Sequence, residues 1–310
     1  MPPGSLLLLP DMIPMKNGFL LTILAFLLLP AADIFGANEK DSSMTDIAKS
    51  HNIPYGSIDP SFIPVAYSGG EFFRYDISYT GGFKLGELHL ALRKNSEEEE
   101  SFIIDARVTT ENGIFSNVYP IEDIHVTQVS GAERLPYHYE VWQKEGYSYE
   151  AHRITLYDQA ARLIHYYVND NPVEEFVVSD TTQNEFSSFF ASRVMDLVPG
   201  GSFVVPTFAD EKRIEVVVRV KGNETLKKTV LGNVETVVVE PIMTFSGLYD
   251  KRGDTVIWYS ADECRVPVKI NSKILLGSLT AKLVSYRNPA CPDYDGAILK
   301  KYSKKQSNQE

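Results

Sequence analysis

The chain has 310 residues, 44% of them hydrophobic, enough for one large or two ordinary domains with a sizeable core. Its formal net charge of -11 argues against a nucleic-acid partner, because a phosphate polyanion would be repelled. It has two cysteines, Cys264 and Cys291, and neither lies in a C-x-x-C pair, so dithiol redox catalysis has no motif to rest on.

The N-terminus carries an export pattern. Lys16 precedes an uncharged run over 19–29, apolar except for Thr22, and the small residues Ala31, Ala32, Gly36 and Ala37 follow. This reads as a secretory signal peptide over 1–37, with Met15 the natural start and cleavage between Ala32 and Asn38. The run is short for a membrane span, so no transmembrane anchor is expected after cleavage; an uncleaved N-terminal anchor is the alternative. No cysteine follows the run to carry a lipid. The expected location is the periplasm of a Gram-negative-type bacterium.

Residues 38–70 show no period and hold Pro54, Pro60, Pro64, Gly56, Gly69 and Gly70. They read as an extended or disordered lead segment that packs on the domain near 62–67. A β domain is expected over 71–290. Phe73, Tyr75, Ile77 and Tyr79 alternate with polar residues, and Leu88, Leu90 and Leu92 share one face of the returning strand. The acidic run 97–100 reads as a solvated hairpin loop. Further strands are expected at 102–110, 121–129 and 135–143. Turns at 144–146 and 158–160 divide the meander 137–168, and 173–178 leads into a helix.

That helix, over 182–198, is the one strong helical pattern of the domain. Phe186, Phe189, Phe190, Val194 and Leu197 fall on one face, Thr182 and Glu185 have capping-box spacing, and Pro199-Gly200-Gly201 stops the run. The stripe either covers a sheet as core or closes one side of an apolar cavity. Beyond it, strands are expected at 202–209, 214–220, 226–230, 235–240, 243–248, 255–259, 266–270 and 278–287, with polar turns at 210–212 and 221–224. A polar tail, 291–310, closes the chain. The fold class is mainly β: a curved antiparallel sheet or open barrel-like meander with one central amphipathic helix, as one sheet or as two small β domains.

Chemistry is sparse. The chain has no G-x-S-x-G, S-x-x-K, H-E-x-x-H, Walker loop or G-x-G-x-x-G. A hairpin centred on Glu145 would set His138 opposite His152 with Glu140 on the same face. A metal site could be drawn from these three, although cross-strand His and Glu pairs on a solvated face explain them as well. No cofactor is expected. Cys264 precedes one expected strand and Cys291 follows another; if the two strands are antiparallel neighbours, the cysteines meet as a disulfide. Asp262 and Arg265, three apart across a turn, would form a charge-assisted pair, and Pro267 suits an edge strand.

Gly70-Glu71, Tyr75 and the glycine pair ahead of Lys84-Leu85-Gly86 resemble the opening of a bacterial exported family, domain of unknown function 3108. Its helix is similar to Ser187-Ser188-Phe189-Phe190-Ala191-Ser192-Arg193. Its C-terminal signature is similar to Trp258-Tyr259-Ser260-Ala261-Asp262 with Arg265, Pro267, Val268, Gly277 and Ser278. The resemblance spans 70–287. It implies an exported, mostly β protein with no assigned activity, similar in outline to lipoprotein carriers, whose curved sheet wraps around helices.

The functional expectation is non-enzymatic binding of an apolar or amphipathic envelope molecule, a lipid or other amphiphile, between sheet and helix. Candidate contacts are Phe186, Phe189, Phe190, Arg193 and Trp258. The rival is an envelope scaffold or assembly factor that binds a protein through an apolar patch or open strand edge. A hydrolase is the third reading.

Overall fold

The computed structural model describes residues 53–80, 82–96, 100–110, 116–117, 119–209, 211–244, 255–273 and 277–299. The signal-peptide pattern, most of the acidic run and residues 300–310 lie outside these. A 3-10 turn (Pro60–Phe62) runs into a short helix, α1 (Ile63–Ala66). Eight strands follow: β1 (Gly70–Tyr79), β2 (Phe83–Lys94), β3 (Phe102–Thr110), β4 (Ile121–Ser130), β5 (Leu135–Glu145), β6 (Tyr149–Asp158), β7 (Leu163–Val168) and β8 (Glu174–Val177). Next come α2 (Glu185–Ser192), β9 (Ser202–Ala209), β10 (Lys212–Thr229), β11 (Gly232–Thr244), β12 (Thr255–Ser260), β13 (Pro267–Lys273) and β14 (Ser278–Arg287).

All fourteen strands belong to one sheet, in the order β8-β7-β6-β5-β4-β3-β2-β1-β14-β13-β12-β11-β10-β9. The question of one sheet or two domains is therefore answered by the β1–β14 ladder, in which Phe72 pairs with Arg287 and Tyr79 with Leu279. The sheet curls without closing. Its two ends, β8 and β9, meet through side chains, with the Phe176 and Phe208 rings 5.2 Å apart. The outer edge of β9 is covered by chain from elsewhere. Val204 N donates to Pro54 O, Gly56 N to Val204 O, Gln183 N to Pro206 O and Phe208 N to Gln183 O. Covering an edge in this way removes a template for aggregation.

Alternation sends Phe73, Tyr75, Ile77, Leu88, Leu90 and Leu92 inward, into the core cluster to which Phe186, Phe189 and Phe190 of α2 also belong. Gly86 has no room for a side chain: a Cβ there would lie 2.1 Å from Thr109 O. The helix is shorter than expected and its cap differs. Asn184, not Thr182, is the N-cap: its Oδ1 accepts from Ser187 N, and Ser187 Oγ accepts from Asn184 N, each at 2.8 Å. Thr182 is instead tied to Gln159, which accepts from Thr182 N and donates to Thr182 O. Val194 and Leu197 lie past the helix yet stay buried.

The strands expected at 214–220 and 226–230 merge into β10, and β11 carries the one expected at 235–240 on to Thr244; residues 245–248 of the next expected strand lie outside the described residues. The polar stretch 221–224 is no turn: Gly222, Asn223 and Glu224 continue the β10 ladder opposite Val238, Val237 and Thr236, with one irregularity after Val220. It is polar because that end of the hairpin is exposed. Pro241 is tolerated within β11 because it lies beyond the segment, Thr236–Val239, that pairs with β12. The described part of the tail, up to 299, packs against β14. Tyr286 N donates to Ala297 O and Leu299 N to Val284 O, so this segment occupies the place beside β14 that β13 does not reach.

Candidate functional site

The expected contact residues do not form one site. Phe186, Phe189 and Phe190 are buried core. Phe190 meets Phe73 at 6.1 Å, Phe189 meets Tyr259 at 6.2 Å and Phe186 meets His125 at 4.9 Å, so ring packing occupies the space where a ligand was expected. Trp258 sits on the other face of β12 from Tyr259. Its Nε1 donates to Glu224 Oε2, and Lys269 Nζ lies 3.9 Å from its ring centre.

Arg193 closes α2 and turns inward into an ion pair with Glu71 of β1. Around this pair some of the residues that carried the family resemblance gather, among them Phe190, whose ring lies 5.7 Å from the Arg193 guanidinium. Cys264 and Cys291 are bonded, with Cα atoms 5.9 Å apart, because β13 and β14 are antiparallel neighbours. Asp262 does not bind the Arg265 side chain. Its carboxylate accepts from Ser260 Oγ, Cys264 N and Tyr294 OH, while Arg265 contributes its backbone N–H to Asp262 O and lays its guanidinium over Phe62 at 4.7 Å. Pro267 heads an interior strand and not an edge. The first residue of a strand tolerates the missing N–H, and Pro267 O accepts from Tyr75 OH.

The metal constellation is undone by register. The β5–β6 turn is centred on Tyr147, since Gly146 takes the positive φ (+63°) and Glu145 still pairs with Tyr149. His138 therefore opposes Leu156, and His152 opposes Trp142, on which it stacks at 5.3 Å. Glu140 still reaches His152, at 2.7 Å.

A cleft of about 690 Å³ opens beside the seam of the sheet. Its apolar lining includes Ile58 and Ile63 of the lead segment together with Leu135, Met195 and Val205. Glu100, Glu133 and Asp180 are exposed acids of its lining. Its basic residue, Arg134, is buried. Arg134 Nη1 donates to Gly131 O at 2.7 Å and Glu100 O at 3.3 Å, and its guanidinium lies over the Phe102 and Tyr67 rings, with Nε left unpartnered. Gln183, 5% exposed, donates from Nε2 to Glu133 O, which fixes Oε1 as an acceptor, and Oε1 has no partner. Sequence reasoning missed this cleft because its walls lie far apart in the chain.

The inner face of β4 to β6 carries a second feature. There Asp123, His125, Thr127, Gln143 and Glu145 point inward, while Ile124 and Val126 take the outer face. Burial pushes the Asp123 carboxyl up to about 7 and the His125 imidazole down to about 3. His125 Nδ1 bonds Tyr139 OH at 2.8 Å, and Arg153 Nη2 donates to Tyr149 OH at 2.5 Å. Period-two alternation signals such a strand, but hydrophobicity alone assigns its faces the wrong way round.

The family described as "Protein of unknown function (DUF3108)" matches residues 74–284. The chain belongs to this family. No curated protein matches. Among solved structures, a β-barrel-like protein of domain of unknown function DUF1849 from Brucella abortus is 8% identical, with a TM-score of 0.49 over 70% of this chain and 97% of that one. A hypothetical protein from Chlamydia trachomatis is 9% identical, with a TM-score of 0.35 over 78% of this chain and 98% of that one. In this chain the Glu71–Arg193 pair is buried within the core, and the seam cleft is one of the open clefts among the described residues.

Proposed function

We propose that this member of the family is an exported, non-catalytic binding protein that takes an amphipathic envelope molecule in the seam cleft. The observation that carries this reading is the cleft itself. Its volume falls within the range of small-molecule sites, and it joins apolar walls to a polar margin. The export pattern of the N-terminus and the Cys264–Cys291 bridge support an oxidising compartment outside the cytoplasm. Among the described residues no helix is long and apolar enough to cross a membrane.

The test is native mass spectrometry of the protein purified from its own envelope, with lipid extraction of the same sample. An amphiphile bound at a fixed ratio supports the reading. A bare mass that does not shift when lipids are added overturns it. The assembly-factor reading draws on a different observation, the short outer strand β8, where Val177 is 84% exposed. Its test is crosslinking in the intact envelope from a photoreactive residue at Val177; a bare lane counts against it.

A further inference from the structure

We infer that the protein holds a second binding site, for a neutral saccharide, in a polar cleft between the β3–β4 connection and the tip of the β5–β6 hairpin. The cleft measures about 820 Å³ and shares no lining residue with the seam cleft, so this inference stands apart from the amphiphile reading. Its lining selects the ligand class. Four charged side chains line it, and they cancel in pairs: Arg107 Nη2 lies 2.5 Å from Glu122 Oε1, and Lys144 Nζ lies 3.6 Å from Glu150 Oε1. A lining without net charge draws in neither an anion nor a cation. Pro120 and Ile121 are the wholly aliphatic side chains among its described residues, a small bed for an acyl chain. Thr109, Asn117 and Ser148 present hydroxyl and amide groups instead. A neutral molecule rich in hydroxyl groups fits such a surface.

A second, independent observation is Tyr147, at the turn of the hairpin. It is 78% exposed, yet its hydroxyl donates to Asn117 O, another group of the lining. An aromatic ring this open is ordinarily free to swing, and here it is held. Beside it Gly146 N donates to Pro120 O at 2.8 Å, and a Cβ on Gly146 would lie 3.1 Å from the Tyr119 ring. Two hydrogen bonds thus join the hairpin tip to the β3–β4 connection, and the ring is presented in a fixed orientation that leaves little ordering for a ligand to impose. The electron-rich face of a tyrosine ring attracts the polarised C–H groups of a pyranose. The planar Arg107 and Glu122 groups offer donors and acceptors to neighbouring hydroxyls of the same sugar. A lone ion or an acyl chain would use neither.

The experiment titrates the mature protein with three neutral tetrasaccharides, cellotetraose, maltotetraose and chitotetraose. Two charged ones accompany them, the cationic de-N-acetylated form of chitotetraose and the anionic tetragalacturonate. Calorimetry and saturation-transfer NMR read the binding. At least one neutral sugar should bind more tightly than both charged ones, with an affinity that salt leaves unchanged. Tyr147→Ala, a change at an exposed position, should weaken that binding at least about tenfold, with circular dichroism confirming that the fold persists. Tyr147→Phe keeps the ring and removes only its tether, so it should lose less. Failure of all three neutral sugars to bind overturns the inference. Tighter binding of either charged sugar overturns it too, as does a Tyr147→Ala variant that binds like the wild type. None of these results bears on the amphiphile of the seam cleft, which has its own test.

Discussion

Arg193 and Glu71, 122 residues apart, form a bidentate ion pair whose two side chains are 0% exposed: Nη1 to Oε2 at 2.7 Å and Nη2 to Oε1 at 2.8 Å. Arg193 Nη2 also donates to Cys264 O, and Tyr286 OH donates to Glu71. The pair thus ties the end of α2 to β1, β14 and the disulfide turn. Burial alone would lower the arginine's pKa, but the glutamate's charge and hydrogen bonds more than offset it.

Removing one partner should leave a buried charge unpaired. Glu71→Leu or Arg193→Met alone should cost about 3–5 kcal/mol in urea unfolding. The double variant Glu71→Leu/Arg193→Met should be less destabilised than the two single costs added together. Strict additivity would refute the pairing as the energetic link.

The disulfide contributes separately. Its cysteines are 27 positions apart in the chain, and closing such a loop is worth roughly 3–4 kcal/mol in the chain-entropy account. Cys264→Ser/Cys291→Ser should lose about that much, and reduction of the wild type should match the variant. An intact mass two hydrogens below the reduced chain verifies the bond.

The sequence made some features plain and hid others, for definite reasons. Alternation in β1 and β2 placed Phe73, Tyr75 and Leu88–Leu92 correctly, because a strand with one apolar face has one reading. The meeting of Cys264 with Cys291 followed from two adjacent antiparallel strands. The hairpin register did not: placing the turn at Glu145 instead of Tyr147 exchanged His138 for Trp142 as the partner of His152. A positive-φ glycine fixed the true turn, and composition does not weight that. The β1–β14 ladder joins positions over 200 residues apart, and no local pattern announces it. The cleft, built from such distant segments, was equally hidden.

Phe190 tests whether the helix face is core or ligand wall. Its ring is fully buried between Phe73 and Phe189. As a core residue it should cost about 3–5 kcal/mol on replacement by alanine. The folded fraction of that variant should carry the same co-purifying amphiphile, at the same ratio, as the wild type. A small stability change with lost binding would return the site to the space between helix and sheet.

Asp123 and His125 predict two opposed pH dependences. Their unfolded values are about 3.9 and 6.5, against folded values of about 7 and about 3. Between about pH 4 and 7 the unfolded chain has released the Asp123 proton while the folded chain keeps it. That contribution to stability is full below pH 4 and is lost as pH rises towards 7. His125 runs the other way. Below about pH 6.5 the unfolded chain binds a proton that the folded chain refuses, so its contribution is full above 6.5 and is lost as pH falls towards 3. Each slope is at most about 1.4 kcal/mol per pH unit, so in the wild type they largely cancel between pH 4 and 6.5. Single variants separate them. Relative to wild type, Asp123→Asn should gain stability as pH rises from 4 to 7, and His125→Gln should gain stability as pH falls from 6.5 to 3.5. Urea midpoints read at unit pH intervals decide it: curves parallel to wild type would show that neither group changes protonation on unfolding.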